Sequence, residues 1–403
     1  MVGSEGLIRA SFGPTEISPG ELFAQQHCEQ ERLALDERCH ALHMEHFKKQ
    51  GRDGENWLFL NISAAMVVTG RYAAGGFKEA LQDSGVDPSK VVVEILEDAI
   101  GSTDSLVDAV SYFRDLGCLI ALDDFGTGHS NFERIWRLQP DITKLDCSIV
   151  AQAGIATGNR GKGKILRNLV SLMHEAGSLV LTEGVETEYE ALRCFDADAD
   201  FVQGFYFARP EFEHTPEQIA DAECSLAAIS HRFNQQETMA ASRQRELIAP
   251  YEQAFRAAAT ALYTGDNKET AVTRVLEMPR TVRCYVLNQQ GEQVTHHFAP
   301  ERVIQEDPRF EPLVRTTGGT WFRRPYYRDA ISDPNRLKVS APYLSATGTL
   351  DFPRHHGVSP TPRSHLLKGR YRRDRTNVQS ASDAGSTETV IGTHSAPVAS
   401  RKS

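Results

Sequence analysis

The sequence predicts an α/β protein whose larger part is a modified (β/α)8 TIM-type barrel. Three observations predict it. Short apolar runs alternate with amphipathic helical patterns over residues 1–212, polar residues stand at the carboxyl ends of successive runs, and the composition changes beyond residue 212. The chain has 403 residues, of which 40% are hydrophobic and 24% charged. This length allows two domains, and this composition is typical of a soluble globular protein.

Seven apolar runs predict the strands of the larger part. They are Val2–Ile8, Trp57–Ile62, Val91–Leu96, Leu119–Asp123, Ile142–Leu145, Leu179–Thr182 and Phe201–Gln203. Strands that are separated by helices pair in parallel through crossover connections. An open doubly wound sheet and a barrel both fit this order, and seven strands are one fewer than a closed (β/α)8 barrel contains.

The helices are predicted between these runs, at residues 20–49, 102–115, 163–176 and 186–195. The first begins with Ser18-Pro19-Gly20-Glu21. A serine at the cap, a proline at the first helical position and a glutamate three residues after the cap are typical of a helix start.

The polar residues favour the barrel over the open sheet. Eight of them lie at or just beyond the carboxyl end of a predicted strand: Glu5, Asn61, Glu94, Asp123, Asp124, Lys144, Glu183 and Gln203. In a barrel these ends converge on one mouth, where barrel enzymes have their active sites. In an open sheet they would lie along a line, and only a few of them would meet.

Six of these residues carry oxygen ligands, which Mg²⁺ and Mn²⁺ prefer: Glu5, Asn61, Glu94, Asp123, Asp124 and Glu183. So many carboxylates repel one another, and two cations, which in two-metal sites lie about 3.5–4 Å apart, would account for them. Consecutive strand residues point to opposite faces. We expect both Asp123 and Asp124 to reach the mouth because the chain turns outward at Gly126.

Two basic residues complete the predicted site. Lys144 would orient an attacking water or act as an acid/base group, and Arg9 suits a phosphate contact through its planar fork. Each residue alone has a simpler explanation, such as a helix cap, a surface ion pair or a backbone contact. The prediction therefore depends on the whole set occurring in order on successive strands.

The remaining residues divide into three parts. Residues 213–275 are predicted to be a helical connector and 276–350 a smaller α+β domain. Residues 351–403 hold nine Lys/Arg against four Asp/Glu and few large apolar side chains, which predicts a disordered basic tail. The formal charge of −10 argues against a nucleic-acid partner. We see no 18-residue apolar run and no leader, and the seven scattered cysteines suggest reduced thiols, so we expect a cytoplasmic protein without a membrane span.

Seven motifs between residues 3 and 212 resemble the EAL-domain family, bacterial phosphodiesterases that open cyclic di-GMP. In order, they are Glu5-Gly6-Leu7 followed by Arg9, LNIS, VVVEILE, LDDFGTG, TKLD, TEGVET and VQGFYFARP. The resemblance implies a modified (β/α)8 barrel that hydrolyses one phosphodiester of cyclic di-GMP to linear pGpG with two Mg²⁺ or Mn²⁺ ions. It assigns the six oxygen-bearing side chains to the metals and makes Lys144 catalytic.

The resemblance also implies roles for four further residues. Glu97 would hold the loop after Asp124 in place, and Glu186 would bind nearby, both in the catalytic group. Arg9 and Gln203 would bind substrate, Gln203 on the guanine side. A homodimer through a helix near residues 129–137 is expected by analogy.

The sequence departs from the family pattern in several places. Gly6 replaces alanine, which we expect to loosen the strand slightly; Leu96 replaces a frequent threonine and Cys147 a frequent arginine. The family has a further strand before its signature, so we expect the first barrel strand to be missing here. We hypothesise a misplaced start at the front and a reading-frame change beyond Leu350.

Residues 320–349 resemble the PAS/Cache-type sensor domain that follows some EAL domains. Its Arg and Tyr residues (Arg323, Arg324, Tyr326, Tyr327 and Tyr343) would bind a small anionic or polar ligand, or alternatively pack within a small core. The alternatives to a regulated phosphodiesterase are a catalytically impaired EAL domain that binds cyclic di-GMP as an effector, a scaffold protein without nucleotide, and another metal-dependent barrel enzyme such as an enolising one.

Overall fold

The computed structural model divides into two compact units, residues 1–236 with 383–403 and residues 237–382. It describes residues 2–12, 15–51, 56–96, 103–126, 132–146, 148–149, 162–212, 214–279, 281, 283–296, 298–300, 318–333, 338–340, 343–344, 350–358, 366–371 and 390–392. Within these ranges, no helix combines the length and the apolar composition that crossing a bilayer requires.

An eight-stranded sheet forms the centre of the first unit. In spatial order its strands are Gly3–Glu5, Trp57–Ile62, Val91–Leu96, Leu119–Phe125, Ile142–Leu145, Leu179–Thr182, Phe201–Gln203 and Val390–Gly392. The first seven run parallel, as predicted, and the eighth pairs antiparallel with Phe201–Gln203. The sheet is curled. Its second and seventh strands approach each other so closely that the ring centroids of Trp57 and Phe201 lie 5.8 Å apart. The predicted α/β fold with a modified TIM-type barrel is confirmed.

Helices cover the outer face of the sheet. They are Glu29–Lys49, Ala64–Val68, Gly76–Ser84, Thr103–Asp115, Phe132–Leu138, Lys162–Glu175 and Glu188–Asp196. Helix Pro19–Ala24 has no buried residue, and the unit also contains 3-10 turns at Arg71–Ala74 and Pro88–Lys90 and an antiparallel pair of Ala10–Phe12 and Thr15–Ile17. The capping box at Ser18 and Glu21 is present. The helix predicted at 20–49 is two helices, because Cys28 is extended and Glu31 accepts the His27 amide at 2.8 Å, which starts a second helix.

Two apolar layers result from the alternation of side chains along each strand. Leu58 and Leu60 point outward into the large core beneath the helices, where Phe113 packs. Phe59 points inward, and a second cluster fills the barrel interior with Phe59, Val92, Ala121, Ile142 and Leu181. The interior is therefore a packed floor, above which the carboxyl ends of the strands form the mouth.

The second unit contains most of the remaining elements. Helix Pro216–Thr264 begins in the residue range of the first unit and ends in that of the second, and the elements after it are Lys268–Glu277, Cys284–Leu287, Pro325–Ser332, Lys338–Ser340, Tyr343–Leu344, Leu350–Val358 and Leu366–Tyr371. The strands pair antiparallel. Strands Leu366–Tyr371 and Val390–Gly392, and all of Leu350–Val358 except its first residue, lie within the stretch 351–403 predicted to be disordered. The domain boundaries at 212, 275 and 350 stay predictions.

The outer core makes a test of the barrel possible. Phe113 is fully buried and its ring meets that of Phe77 edge-on at 5.0 Å. We expect Phe113→Ala to lower the free energy of unfolding by about 3–5 kcal/mol, because it leaves a cavity beneath the sheet. Urea unfolding of the full chain, followed by circular dichroism, measures this change.

Phe12→Ala is the matched control, since Phe12 is 83% exposed. It should change the free energy of unfolding by no more than about 0.5 kcal/mol. Equal effects of the two substitutions would contradict the assignment of Phe113 to the core.

Candidate functional site

A layer of polar side chains lies directly above the apolar floor of the barrel. On six strands the polar residue follows an inward-pointing apolar residue by two positions, so that both share a face. The pairs are Phe59 and Asn61, Val92 and Glu94, Ala121 and Asp123, Ile142 and Lys144, Leu181 and Glu183, and Phe201 and Gln203. The strand geometry therefore gathers the predicted residues at one mouth.

Glu5 connects the first strand of the sheet to two others. Its Oε1 accepts a hydrogen bond from Asn61 Nδ2 at 2.9 Å, and its Oε2 accepts one from Gln203 Nε2 at 2.8 Å. Burial raises the pKa of Glu5, but the charge of Lys144 and these hydrogen bonds outweigh it and hold the pKa below its usual value. Glu5 is therefore held as a carboxylate in a fixed orientation.

Lys144 is the cation at the centre of the site. Its side chain is only 2% exposed, and Nζ lies 2.6 Å from Glu94 Oε1, 2.5 Å from Glu183 Oε1 and 3.0 Å from Asp123 Oδ1. Glu5 Oε2 follows at 3.9 Å. Burial lowers the pKa of Lys144, but the surrounding carboxylates raise it well above its ordinary value.

One ammonium group does not neutralise four carboxylates. Burial, together with the negative charges of Glu5 and Asp123, raises the pKa of Glu94 well above its usual range. Burial and the same neighbours raise the pKa of Glu183, against the charge of Lys144. The mouth thus has an excess of buried negative charge, which is the condition that a bound dication relieves.

Asp124 reaches this cluster through an unusual backbone conformation. Its φ is 56°, in the left-handed region that non-glycine residues adopt at a cost of about 1–3 kcal/mol. Its amide donates to Asp123 Oδ1 at 3.0 Å. Gly126 follows with φ 107°, where a Cβ would lie 2.0 Å from Ile149 Cδ1. The backbone therefore leaves the extended conformation at Asp124 and Gly126, whereas the outward course expected beyond Gly126 lies outside the described residues.

The site has the donors that a divalent cation requires. Among the described residues, Asp123, Asp124 and Glu183 each offer one carboxylate oxygen within 4.8 Å of the others. Glu94 Oε2 is buried, and no group in the described part of the chain donates a hydrogen bond to it. Hard cations bind such clusters of anionic oxygens, so the residues present fit a metal ion.

The structure places three other predicted residues differently. Arg9 is exposed, and its Nη1 donates to the carbonyl of Ile8 at 2.9 Å. The side chain of Glu186 is exposed, and its amide donates to Glu190 Oε2. Glu97 lies outside the described residues.

A cavity of about 490 Å³ adjoins the signature segment. Glu5 and Arg9 line it together with residues of helix Glu29–Lys49 and with Pro210, Glu211, Phe212 and His214. This volume lies within the range of small-molecule sites, roughly 300–1,000 Å³. Arg9 is thus part of a concave surface that includes Glu5, but the other members of the acidic cluster and Lys144 do not line it.

Two histidines that the sequence analysis did not single out contact the strand ends. His40 is 2% exposed, and its Nε2 donates to the carbonyl of Asn61 at 2.8 Å. His43 forms a hydrogen bond with the backbone of Leu7. Burial and the neighbouring His40 lower the pKa of His43 to about 4, so its ring is neutral at pH 7. Their spacing of three residues on a predicted helix was the one available signal, because it places both on one face.

These features define a barrel protein with an acidic mouth whose carboxylates fit a divalent cation. The family to which that mouth belongs is established by sequence: residues 13–210 match the family model of the EAL domain. The chain therefore contains an EAL domain, as the motifs predicted. The match begins after Glu5-Gly6-Leu7, so the role of Glu5 rests on the geometry of the mouth.

Two similar proteins extend this result. An uncharacterized protein of Mycobacterium tuberculosis is 31% identical over 222 residues, which are 52% of this chain and 34% of that protein. The cyclic di-GMP phosphodiesterase RocR of Pseudomonas aeruginosa is 30% identical over 141 residues, or 35% of each chain. The chain thus spans about a third of the length of each of these two relatives.

A solved structure shows the same fold. The crystal structure of the Bacillus subtilis protein YkuI, which has an EAL domain and is in complex with substrate c-di-GMP and calcium, gives a TM-score of 0.76 at 20% identity. The likeness covers 92% of this chain and 90% of that chain. Both units of the chain are therefore included in it.

The acidic mouth predicts a particular dependence of stability on pH in the absence of metal. The proton of Glu94 is bound more tightly in the folded than in the unfolded protein, because its pKa is raised. The stability that it contributes is fully present below the ordinary pKa of 4.5 and is lost as the pH rises through the raised value. Glu94→Gln removes this loss, so its Tm relative to wild type should increase from pH 5 towards pH 9.

Thermal unfolding of the full chain in EDTA across this range measures the difference. Glu79→Gln is the control, since Glu79 is exposed, and its Tm difference from wild type should not change with pH. A Tm difference for Glu94→Gln that decreases with pH would contradict the raised pKa.

Proposed function

We propose that this protein hydrolyses one phosphodiester of cyclic di-GMP to give linear pGpG, with two Mg²⁺ or Mn²⁺ ions. The observation that carries the proposal is the buried group of Glu5, Glu94, Asp123 and Glu183 around Lys144 at the mouth of an EAL domain. The name of RocR supports the substrate. The clustered oxygens of Asp123, Asp124 and Glu183 support the cations.

Six residues would hold the cations: Glu5, Asn61, Glu94, Asp123, Asp124 and Glu183. The ions supply an activated water molecule and offset the negative charge that develops on the phosphate. Asp123 and Asp124 are adjacent, and their oxygens approach the same point from successive backbone positions. Both carboxylates would therefore be available as ligands of the cations.

Lys144 is proposed to orient the attacking water and to stabilise the charged phosphate oxygens. Its ammonium group is a donor without an acceptor lone pair, and it is fixed by Glu94, Glu183 and Asp123. A cation held this firmly loses little entropy when the reaction proceeds.

Substrate contacts are proposed for Arg9 and Gln203. The Arg9 fork matches a phosphate, and the cavity that it shares with Glu5 supports this role. Gln203 Nε2 is engaged by Glu5, but its Oε1 is buried without a donor from the described residues and suits a guanine N–H group. Glu97 and Glu186 remain proposed members of the catalytic group.

We propose that the protein forms a homodimer. Phe132 and Trp136 are 37% and 65% exposed on helix Phe132–Leu138, which supports homodimer formation through this helix. We propose a cytoplasmic location and regulation by a small ligand of the second unit. In that unit Tyr326 and Tyr327 are buried, which favours the packing explanation for these two, whereas Arg323 and Arg324 are exposed.

Purified full-length protein with Mg²⁺ or Mn²⁺ should convert cyclic di-GMP to pGpG, measured by chromatography of the nucleotides. Glu5→Gln and Asp123→Asn should each reduce kcat by about 100-fold or more, because even the loss of an outer partner of a metal ligand costs about 10–100-fold. Glu79→Gln, on an exposed helix position, should retain wild-type activity.

Calorimetry with cyclic di-GMP and Ca²⁺ separates the two nucleotide functions. Binding without turnover by folded wild type would replace the phosphodiesterase with a cyclic di-GMP-binding effector. Folded protein that neither binds nor hydrolyses cyclic di-GMP would contradict both the phosphodiesterase and the effector function.

A further inference from the structure

Gly6 lies where a side chain does not fit. A Cβ at this position would be 2.7 Å from His43 Nδ1, 2.9 Å from His43 Cγ and 3.0 Å from Leu60 Cδ2. Non-bonded carbon atoms pack at about 3.5–4.0 Å. The φ of Gly6 is not positive, so its backbone lies outside the left-handed region. The His43 ring, where it lies, therefore requires glycine at position 6. The sequence suggested only that glycine in place of alanine loosens the strand, and the contact with His43 adds a second reason for glycine.

The backbone around Gly6 is held on both sides. Its amide donates to the Phe59 carbonyl at 2.8 Å, inside the sheet, and the next residue, Leu7, is hydrogen-bonded to the His43 ring. Glu5 directly precedes this fixed pair. The position of the His43 ring thus determines where the end of the signature strand lies.

His40 holds the adjacent strand in the same way. It lies one helical turn before His43 and donates to the carbonyl of Asn61 at 2.8 Å. Its ring meets the Phe77 ring edge-on at 5.7 Å, and Asp36 Oδ1 lies 3.6 Å from the same Nε2. The side chain of Asn61 in turn donates to Glu5 at 2.9 Å.

We propose that His40 and His43 are positioning residues that fix Asn61 and Glu5 from outside the barrel, and that Gly6 is the obligatory counterpart of His43. The inference rests on the proposed function, in which both fixed residues bind metal. The two histidines need no contact with the ions, because they act through the backbone of the residues that do. A displacement of about 1 Å in such a ligand is enough to reduce catalysis about 100-fold.

A mutant cycle tests the relation between Gly6 and His43. Gly6→Ala should weaken Mn²⁺ binding at least about tenfold and lower kcat, with the KM for cyclic di-GMP little changed. His43→Ala removes the clash but also the hydrogen bond to Leu7, so its effect should be smaller. The double variant should match His43→Ala and bind Mn²⁺ more tightly than Gly6→Ala.

Gly20→Ala is the matched control, since nothing lies within 4 Å of a Cβ at Gly20. Its Mn²⁺ affinity should equal that of wild type. The inference is overturned if Gly6→Ala behaves like Gly20→Ala, or if the double variant is weaker than both single variants.

The role of His40 is tested independently. His40→Leu leaves the Asn61 carbonyl without its donor, whereas His40→Gln offers an amide N–H in its place. We expect His40→Leu to weaken Mn²⁺ binding about tenfold and His40→Gln to retain most of it. Equal affinities of the two variants would remove His40 from the proposal.

Mn²⁺ affinity is measured by calorimetry without nucleotide, and circular dichroism confirms that each variant is folded. If the wild type binds Mn²⁺ but does not hydrolyse cyclic di-GMP, the proposed function is overturned. The Mn²⁺ affinities of the Gly6 and His43 variants still test the positioning role in that case. Wild type that hydrolyses, together with a fully active Gly6→Ala, would overturn the inference alone.

Discussion

The ion pairs of Lys144 are the interaction on which the rest of the mouth depends. A buried ammonium group surrounded by carboxylates from four other strands is stable only if every strand ends at the right height. The apolar floor sets that height on six strands, because there the polar residue follows an interior apolar residue by two positions. Packing and electrostatics are thus coupled: the floor positions the charges, and Lys144 keeps them together at close range.

The same arrangement explains the balance between stability and function. Removing one partner from a buried ion pair is strongly destabilising, by about 3–5 kcal/mol. The fold therefore depends on the presence of Lys144. The carboxylates nevertheless outnumber Lys144, and the raised pKa values of Glu94 and Glu183 record the remaining repulsion. Because these carboxylates repel one another, a positively charged ligand that binds at the mouth would lower the electrostatic free energy of the site.

The sequence predicted all seven parallel strands and the cluster at their ends, because strand periodicity and motif order are local properties. It missed features that depend on tertiary contacts. The break between Ala24 and Glu29 is an exception, since it follows from a local hydrogen bond between the His27 amide and the Glu31 side chain, which the residue pattern of a single long helix did not reveal. The approach of Asp124 depends on a φ of 56°, and no residue pattern shows that His43 lies against Gly6. The exposure of Arg9 and Glu186 likewise depends on where the loops after the strands lie.

The hydrogen bond between Gln203 and Glu5 joins residues 198 positions apart in sequence. Closing so long a segment carries an entropic penalty that local structure cannot offset, and contacts of this kind form late in folding. During synthesis from the N-terminus, Glu5 has no Gln203 to bind until nearly the whole barrel sequence has left the ribosome. The orientation of Glu5 is therefore completed only on a finished barrel, and a chain interrupted before residue 203 would hold Glu5 through Asn61 alone of these two donors.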